Sequence, residues 1–212
     1  MNIYAISGLG ADQRVFKYLS LPVKLIPLHW LEPEPDEDLP HYAQRMCAKI
    51  DTSEPFILMG LSFGGMVASE MNKYLKPEKT ILISSAATAK ELPWFYIWAG
   101  RLRLLSFIPK ALFVPPLLVA LYLFDTAQSK LMKGILDDTD RDFAKWAMIE
   151  LCNWKNQDVP PQLVRIHGSS DKMMAIDQQK ADYLIPQGGH FMIVDRAAEV
   201  SEAIEEVLNK ST

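Results

Sequence analysis

Short, mostly hydrophobic runs alternate along this chain with longer segments in which hydrophobic residues recur at helical spacing. The short runs predict strands at Ile3 to Ser7, Val23 to Leu28, Phe56 to Met59, Thr80 to Ser84, Gln162 to His167 and Tyr183 to Pro186. The helical patterns run from about Gln13 to Leu19, from Leu39 to Ile50, from Ser62 towards Pro77, and from Ala198 to Asn209. This alternation predicts an α/β fold, a doubly wound and mostly parallel sheet of about six strands with helices on both faces.

The alternation stops between residues 85 and 161. That stretch contains four of the five tryptophans, and 24 of the 33 residues from Leu92 to Phe124 are apolar. Its length and pattern predict several helices inserted between two strands of the sheet. We therefore expect a core of residues 1–84 and 162–212 and an inserted helical cap of residues 85–161, here called the cap segment.

A membrane-spanning segment is the competing interpretation of the apolar stretch. Ala111 to Phe124 is apolar apart from two prolines, but it is too short to cross a bilayer, and the longer run is interrupted by Arg101, Arg103 and Lys110. Two alternatives remain for the cap segment. It covers the site, or it also makes transient contact with a membrane surface with those cations at the headgroups.

The residues Gly60-Leu61-Ser62-Phe63-Gly64 predict a strand that breaks sharply into a helix. So tight a turn needs one residue in strained backbone geometry, and glycines two before and two after it let strand and helix approach closely. Ser62 occupies the strained position, so its hydroxyl is presented at the carboxyl end of the sheet. The following helix aims free N–H groups and its positive dipole end at the same place. A lone G-x-S-x-G is often an ordinary turn, but these flanks predict a nucleophile.

A serine hydroxyl is a weak nucleophile at neutral pH and needs a base, which is itself oriented by a carboxylate. The chain has four histidines. His190 lies in a glycine loop directly after the last predicted strand, at the sheet edge where Ser62 points, so it is the candidate base. His29, His41 and His167 are expected to be structural or solvated.

The orienting acid should follow a strand that lies between the serine and the histidine in sequence. Asp171 follows the fifth predicted strand and meets this requirement. Asp177 is the weaker alternative, because it falls six residues later and is assigned to the next helix. Ser62, Asp171 and His190 then stand in the order Ser, Asp, His.

This order and the G-x-S-x-G turn resemble those of small α/β-hydrolase fold proteins of the esterase/lipase superfamily. The resemblance extends from Ile3 to Asn209. It implies that the backbone N–H groups of Leu9 and Phe63 form an oxyanion hole. It also implies a cap inserted after the fourth predicted strand, where this chain has its apolar excursion.

Two features depart from the family pattern. Ser7-Gly8 stands at the first turn where the family usually has His-Gly, which changes the support of the oxyanion loop but keeps its N–H donor. The chain also begins at what would be the family's third strand, so about six strands are expected rather than eight.

The resemblance implies a serine hydrolase that cleaves an ester-type acyl bond of a small, largely apolar substrate without a metal or organic cofactor. Trp94, Trp98 and Phe124 of the cap segment are the expected substrate contacts. A carbon–carbon bond hydrolase or lyase is the alternative, since similar proteins use the same three residues for other chemistry. A catalytically silent protein that holds a small apolar ligand is the alternative from a different class.

Composition limits the partners. The net charge of −4 over 212 residues argues against nucleic acid, which requires basic surfaces, so the expected partner is a small molecule. Cys47 and Cys152 have no metal-ligand neighbours at short spacing, and no signal peptide pattern precedes Ile3. We therefore expect reduced thiols and a cytoplasmic location, and the oligomeric state stays open.

Overall fold

The computed structural model describes residues 1–102, 104–175 and 178–210. Within these residues the sheet has six strands, all paired in parallel, in the order β2-β1-β3-β4-β5-β6. The strands are β1 (Asn2–Ile6), β2 (Leu25–Leu28), β3 (Phe56–Leu61), β4 (Lys79–Ile83), β5 (Leu163–Gly168) and β6 (Tyr183–Ile185). The α/β class and the six predicted strands are confirmed.

The α-helices of the described residues are α1 (Leu39–Met46), α2 (Phe63–Met71), α3 (Trp94–Arg101), α4 (Leu117–Phe124), α5 (Ser129–Asp138), α6 (Arg141–Asn153), α7 (Met192–Asp195) and α8 (Ala197–Asn209). Short 3-10 helices cover Gln13–Tyr18, Cys47–Lys49, Ala89–Glu91, Leu104–Phe107, Lys110–Phe113 and Gln178–Lys180. The segment predicted as a helix from Gln13 to Leu19 is thus a 3-10 helix. Asp12 caps its start by accepting a hydrogen bond from the N–H of Arg14, and the extended backbone of Leu19 ends it. A segment this short commonly forms the tighter i to i+3 turns of a 3-10 helix.

Alternate residues of the central strands pack on opposite faces of the sheet. Tyr4 and Leu58 belong to a core that includes residues of α1 and α2. Their neighbours Ile3 and Ile57 belong to a second core that includes the first 3-10 helix, α7 and α8. Both faces of the sheet are therefore covered, which explains why the central strands β1 and β3 are predominantly hydrophobic.

The cap segment supplies α3 to α6 and contributes to both cores. Leu151 of α6 is buried with the core on the α1 and α2 side, whereas Ala120 of α4 and Met132 of α5 are buried with the other. Within the described part of the chain, no helix is both long enough and apolar enough to span a membrane. Arg103 and Asp177, which were considered from sequence, lie outside the described residues.

Candidate active site

The turn between β3 and α2 has the strained geometry that the sequence predicts. Ser62 has φ 51° and ψ −122°, a region that residues with a side chain rarely occupy. A Cβ at Gly60 would collide with the backbone of Gly64 and Gly65, and one at Gly64 would collide with the backbone of Ser7. Strand and helix can meet this closely only because these positions lack side chains.

Ser62, His190 and Asp171 lie in one hydrogen-bonded row. Ser62 Oγ is 2.9 Å from His190 Nε2, and His190 Nδ1 is 2.8 Å from Asp171 Oδ2. His190 and Asp171 are buried, while Ser62 is partly exposed. Because the carboxylate can only accept, His190 carries its proton on Nδ1 and offers a bare Nε2 to the serine hydroxyl. This arrangement allows the imidazole to take the proton of Ser62.

The carboxylate of Asp171 is held by the backbone as well as by the histidine. Its Oδ1 accepts the N–H groups of Met173 and Met174, both at 2.9 Å. Burial alone would raise the pKa of Asp171, but the charge and hydrogen bonds of His190, the N–H of Met174 and the nearby His167 lower it to about 2. Asp171 is therefore ionised at neutral pH and faces the imidazole as an anion.

His167 is closer to this row than the sequence suggested. Its Nε2 is 2.6 Å from the carbonyl oxygen of Met174 and 3.5 Å from Asp171 Oδ2. The carbonyl fixes the proton on Nε2, and burial lowers the pKa of the ring, with Asp171 opposing that effect. A neutral His167 thus braces the loop that carries the acid. Its position four residues before Asp171 was the only signal for this in the sequence.

The first glycine turn lies directly against Ser62. A methyl group at Gly8 would lie 3.2 Å from Ser62 Cβ. The Ser7 hydroxyl donates to the carbonyl of Ala11 at 2.9 Å, so serine ties this turn together where the family usually has histidine. Leu9 lines the cavity beside Ser62. Phe63 begins α2, so its backbone N–H belongs to the first turn, which has no helical acceptor.

A cavity of about 150 Å³ reaches Ser62 and His190. Its walls are mostly apolar and include Leu9, Leu61, Phe113, Val114, Pro115, Leu123, Phe124, Met132, Leu136, Ala144, Met148, Leu151, Met173, Met174 and Phe191. The walls come from both the core and the cap segment. An apolar group bound beside the serine would be enclosed by both.

The expected contacts from the cap segment are met only in part. Phe124 lines the cavity, and its ring centroid is 5.5 Å from that of His190. Trp94 and Trp98 are 73% and 53% exposed and do not line the cavity, so the expectation for these two is corrected. They lie one turn apart on the same side of α3, and that side faces outward. Tyr96, on the other side of the helix, lines the cavity instead.

Tyr96 brings one of the few polar side chains into this apolar cavity. Burial raises the pKa of its phenol to about 12, with smaller contributions from Cys152 and Asp171. The phenol is therefore neutral at physiological pH and able to donate a hydrogen bond. Sequence reasoning missed it, because α3 is hydrophobic on every side and gives no hint of which side turns inward.

The end of α4 holds the loop of the candidate base. The N–H of Phe191 donates to the carbonyl of Phe124 at 3.1 Å. A side chain at Gly189 would collide with Asp125, whose backbone is left-handed at φ 53°. Phe124, the last residue of α4, and Asp125 thus contact the residues on either side of His190. The cap segment therefore packs directly against the loop that carries the candidate base.

The described residues contain one group with metal-ligand geometry, formed by Glu34, Glu37 and His41, whose ligand atoms lie within 4.8 Å of one another. Glu37 already accepts from Arg45 Nη1 at 2.7 Å and contacts His41 Nδ1 at 2.6 Å. The guanidinium supplies the positive charge that a metal would bring, so this group is a structural ion pair network.

Solved structures with the same overall fold include several hydrolases. An esterase from Thermogutta terrifontis is 15% identical, with a TM-score of 0.69, and the match covers 100% of this chain and 90% of that one. A lipase-esterase related protein from Clostridium acetobutylicum is 17% identical, with a TM-score of 0.67 and coverage of 97% and 93%. The RedJ thioesterase from the prodiginine biosynthetic pathway of Streptomyces coelicolor is 13% identical, with a TM-score of 0.66 and coverage of 97% and 90%.

These identities are low enough that the three structures establish a shared fold and nothing about substrate. No curated protein matches the sequence significantly. A model of the alpha/beta hydrolase family matches residues 26–203, which is most of the chain and includes the G-x-S-x-G turn and all three residues of the hydrogen-bonded row. The chain therefore belongs to the alpha/beta hydrolase family.

Proposed function

We propose that this protein is a serine hydrolase that cleaves an ester-type acyl bond in a small, largely apolar substrate. The observation that carries the proposal is the unbroken row from Ser62 Oγ through His190 to Asp171, with contacts of 2.9 and 2.8 Å. These are hydrogen-bond distances suited to proton transfer, and the row opens into an apolar cavity. The serine and the base line a space that would accept an acyl group, and the orienting acid contacts the base from behind.

The reaction would proceed through an acyl-enzyme. Ser62 Oγ attacks the carbonyl carbon while His190 Nε2 takes its proton, and His190 then returns that proton to the departing alcohol or thiol. Water repeats the sequence on the ester of Ser62, releasing the acid. Asp171 keeps the imidazole in the required tautomer and stabilises the imidazolium.

The developing oxyanion would be bound by backbone N–H groups. Phe63 contributes the N–H at the start of α2, where the helix dipole adds positive potential, and Leu9 contributes the second from the first glycine turn. Each such donor supplies about 3 to 4 kcal/mol of transition-state stabilisation in enzymes of this kind. The tight approach of Gly8 to Ser62 supports this pairing, because it brings the turn that carries Leu9 beside the nucleophile.

The first experiment labels the purified chain with a fluorophosphonate probe and locates the adduct by mass spectrometry. We expect one adduct, on Ser62, and none in Ser62→Ala. Ser69→Ala is the matched control, since this serine lies in α2, the helix that follows Ser62, and its hydroxyl donates to the carbonyl of Gly65 at 2.9 Å. Labelling of Ser62→Ala at the rate of the unaltered chain would contradict the assignment.

The second experiment tests the reaction with a panel of chromogenic oxygen esters, thioesters, amides and lactones. We expect the esters and thioesters to be turned over and the amides to be poor substrates, because an amine is a worse leaving group. Labelling of Ser62 without turnover of any member would contradict acyl hydrolysis. That outcome would favour the carbon–carbon hydrolase or lyase that uses the same three residues.

A further inference from the structure

The large hydrophobic side chains that stay exposed are concentrated in residues 94–122 of the cap segment. The most exposed are Phe107 at 86% and Leu118 at 80%, and Trp94, Leu112 and Tyr122 are also well exposed. Outside residues 94–122, the most exposed large hydrophobic side chain of the described residues is Val159, at 54%. A water-soluble surface normally carries such side chains singly, so this concentration indicates a binding surface.

The same stretch is basic in sequence. From Leu92 to Phe124 the sequence contains three cations and no acidic residue, in a chain whose net charge is −4. The guanidinium carbon of Arg101 is 5.8 Å from the ring centre of Trp98, and Lys172 Nζ is 4.6 Å from that of Tyr122. Lys172 Nζ is also 2.6 Å from Asp125 Oδ1, and Lys110 Nζ is 2.6 Å from Asp142 Oδ2. Among the described residues of this stretch, Arg101 is therefore the cation that stands beside an exposed aromatic ring without an ion pair.

These residues form a wall with two apolar sides. Phe113 and Val114 line the cavity that contains Ser62, while their neighbours Leu112 and Leu118 face outward. One stretch of chain thus separates the catalytic cavity from the exposed surface. A partner that covers the outer side would lie within one residue layer of the cavity.

We propose that the outer side of residues 94–122 docks onto a lipid surface that bears anionic headgroups. Tryptophan and tyrosine favour the boundary between water and acyl chains, aliphatic side chains insert below it, and lysine and arginine remain at the headgroups. No described helix can span a bilayer, so the surface would rest on the lipid.

A second copy of this chain fits the surface less well. In a two-fold symmetric dimer each patch meets itself, which would bring Arg101, a cation without an ion pair among the described residues, towards its own counterpart. The docking does not rest on the proposed catalysis, because it uses side chains that do not line the cavity.

The experiment measures flotation of the full chain with phosphatidylcholine vesicles, with and without phosphatidylserine, at low and high salt. We expect strong association with the anionic vesicles, which weakens in high salt because the charges are screened. Ser62→Ala should bind equally well, so failure of the catalytic proposal would leave this result unchanged.

Matched variants locate the surface. The combination of Phe107→Ser, Leu112→Ser and Leu118→Ser should lower the partition coefficient at least about tenfold, the effect of removing one inserted side chain. The combination of Tyr74→Ser, Val159→Ser and Leu184→Ser removes large hydrophobic groups that are exposed elsewhere, at 46%, 54% and 41%, and should leave binding unchanged. Melting temperatures of both variants report whether either is unfolded.

The charge is tested in the same way. Arg101→Gln should weaken binding to anionic vesicles and lower its salt dependence, whereas Lys24→Gln should do neither. Three results would overturn the proposal. The unaltered chain does not bind vesicles, the two triple variants with serine substitutions lose binding equally, or binding depends on neither salt nor headgroup. A concentration-dependent dimer that only the Phe107, Leu112 and Leu118 variant abolishes would also overturn it, since that identifies a second copy as the partner.

Discussion

Replacing Asp171 with asparagine should remove most of the hydrolytic activity while leaving the fold in place. Asp171 Oδ1 accepts two backbone N–H groups, so the asparagine must put its carbonyl oxygen there. Its NH₂ group then takes the place of Oδ2, 2.8 Å from His190 Nδ1, and has to donate. The imidazole is forced to carry its proton on Nε2, the atom that faces Ser62, and it can no longer accept the serine proton.

The size of the loss follows from this wrong tautomer. An equivalent exchange in a serine protease triad lowers kcat about 10⁴-fold, which corresponds to about 5.5 kcal/mol of activation free energy. The effect on folding is smaller. The pKa of Asp171 is lowered from 3.8 to about 2, so its carboxylate contributes about 2 kcal/mol to the free energy of unfolding at neutral pH.

That stability contribution has a defined pH window. A carboxylate whose pKa is depressed in the folded state stabilises the fold above its unfolded pKa, and the contribution disappears as the pH falls from 3.8 to about 2. The difference in unfolding free energy between the unaltered chain and Asp171→Asn should therefore shrink across this window. At neutral pH the kinetic loss exceeds the stability loss, so unfolding cannot account for it.

Steady-state kinetics on a p-nitrophenyl ester, the rate of fluorophosphonate labelling and chemical unfolding measure the three quantities. Asp177→Asn is the control, because it removes the alternative acid by the same chemical change, and we expect it to be near normal. Near-normal turnover of Asp171→Asn together with a large loss in Asp177→Asn would refute the reasoning and transfer the role to Asp177.

Two further predictions follow from the cavity and from His167. The apolar walls should raise kcat/KM about fourfold for each added methylene from acetate to medium-chain p-nitrophenyl esters until the cavity is filled, and a series in which acetate is best would contradict this. Burial lowers the pKa of His167 below 6.5, so the unfolded chain binds the extra proton and the free energy of unfolding should decrease as the pH falls below 6.5. His167→Gln should flatten that decrease, and an unchanged pH profile would assign it to other groups.

The sequence predicts the core of the site well because the relevant signals are local. A wholly buried strand, a glycine on each side of Ser62 and a helix behind it fix the turn within a few residues. Asp171 and His190 are distant in sequence, but both follow strands of a parallel sheet, whose carboxyl ends meet at one edge. Chain order and strand position were enough to bring them together with Ser62.

Two features of the structure could not be predicted from the sequence, the role of His167 and the type of the first helix. His167 appeared as an ordinary strand residue, and only the fold shows that the chain after Asp171 turns back so that the carbonyl oxygen of Met174 accepts a hydrogen bond from His167 Nε2. The helix predicted from about Gln13 to Leu19 has nearly the expected bounds, Gln13–Tyr18, but it is a 3-10 helix, a type that the hydrophobic spacing does not reveal. The contact of His167 joins two segments of the chain, and a single sequence does not display such contacts.

The cap segment shows why direction is the hardest property to predict. A helix that buries one face shows alternating polar and apolar sides, but α3 and α4 are hydrophobic almost all round, so periodicity assigns no inner face. The excess of apolar residues from Leu92 to Phe124 nevertheless carried information, because it exceeded what one buried face requires. The structure divides that excess between a wall of the cavity, through Phe113 and Phe124, and an exposed outer surface, through Phe107 and Leu118. A segment that only covers the site would need the first set alone, and the second set forms the surface for which we propose lipid docking.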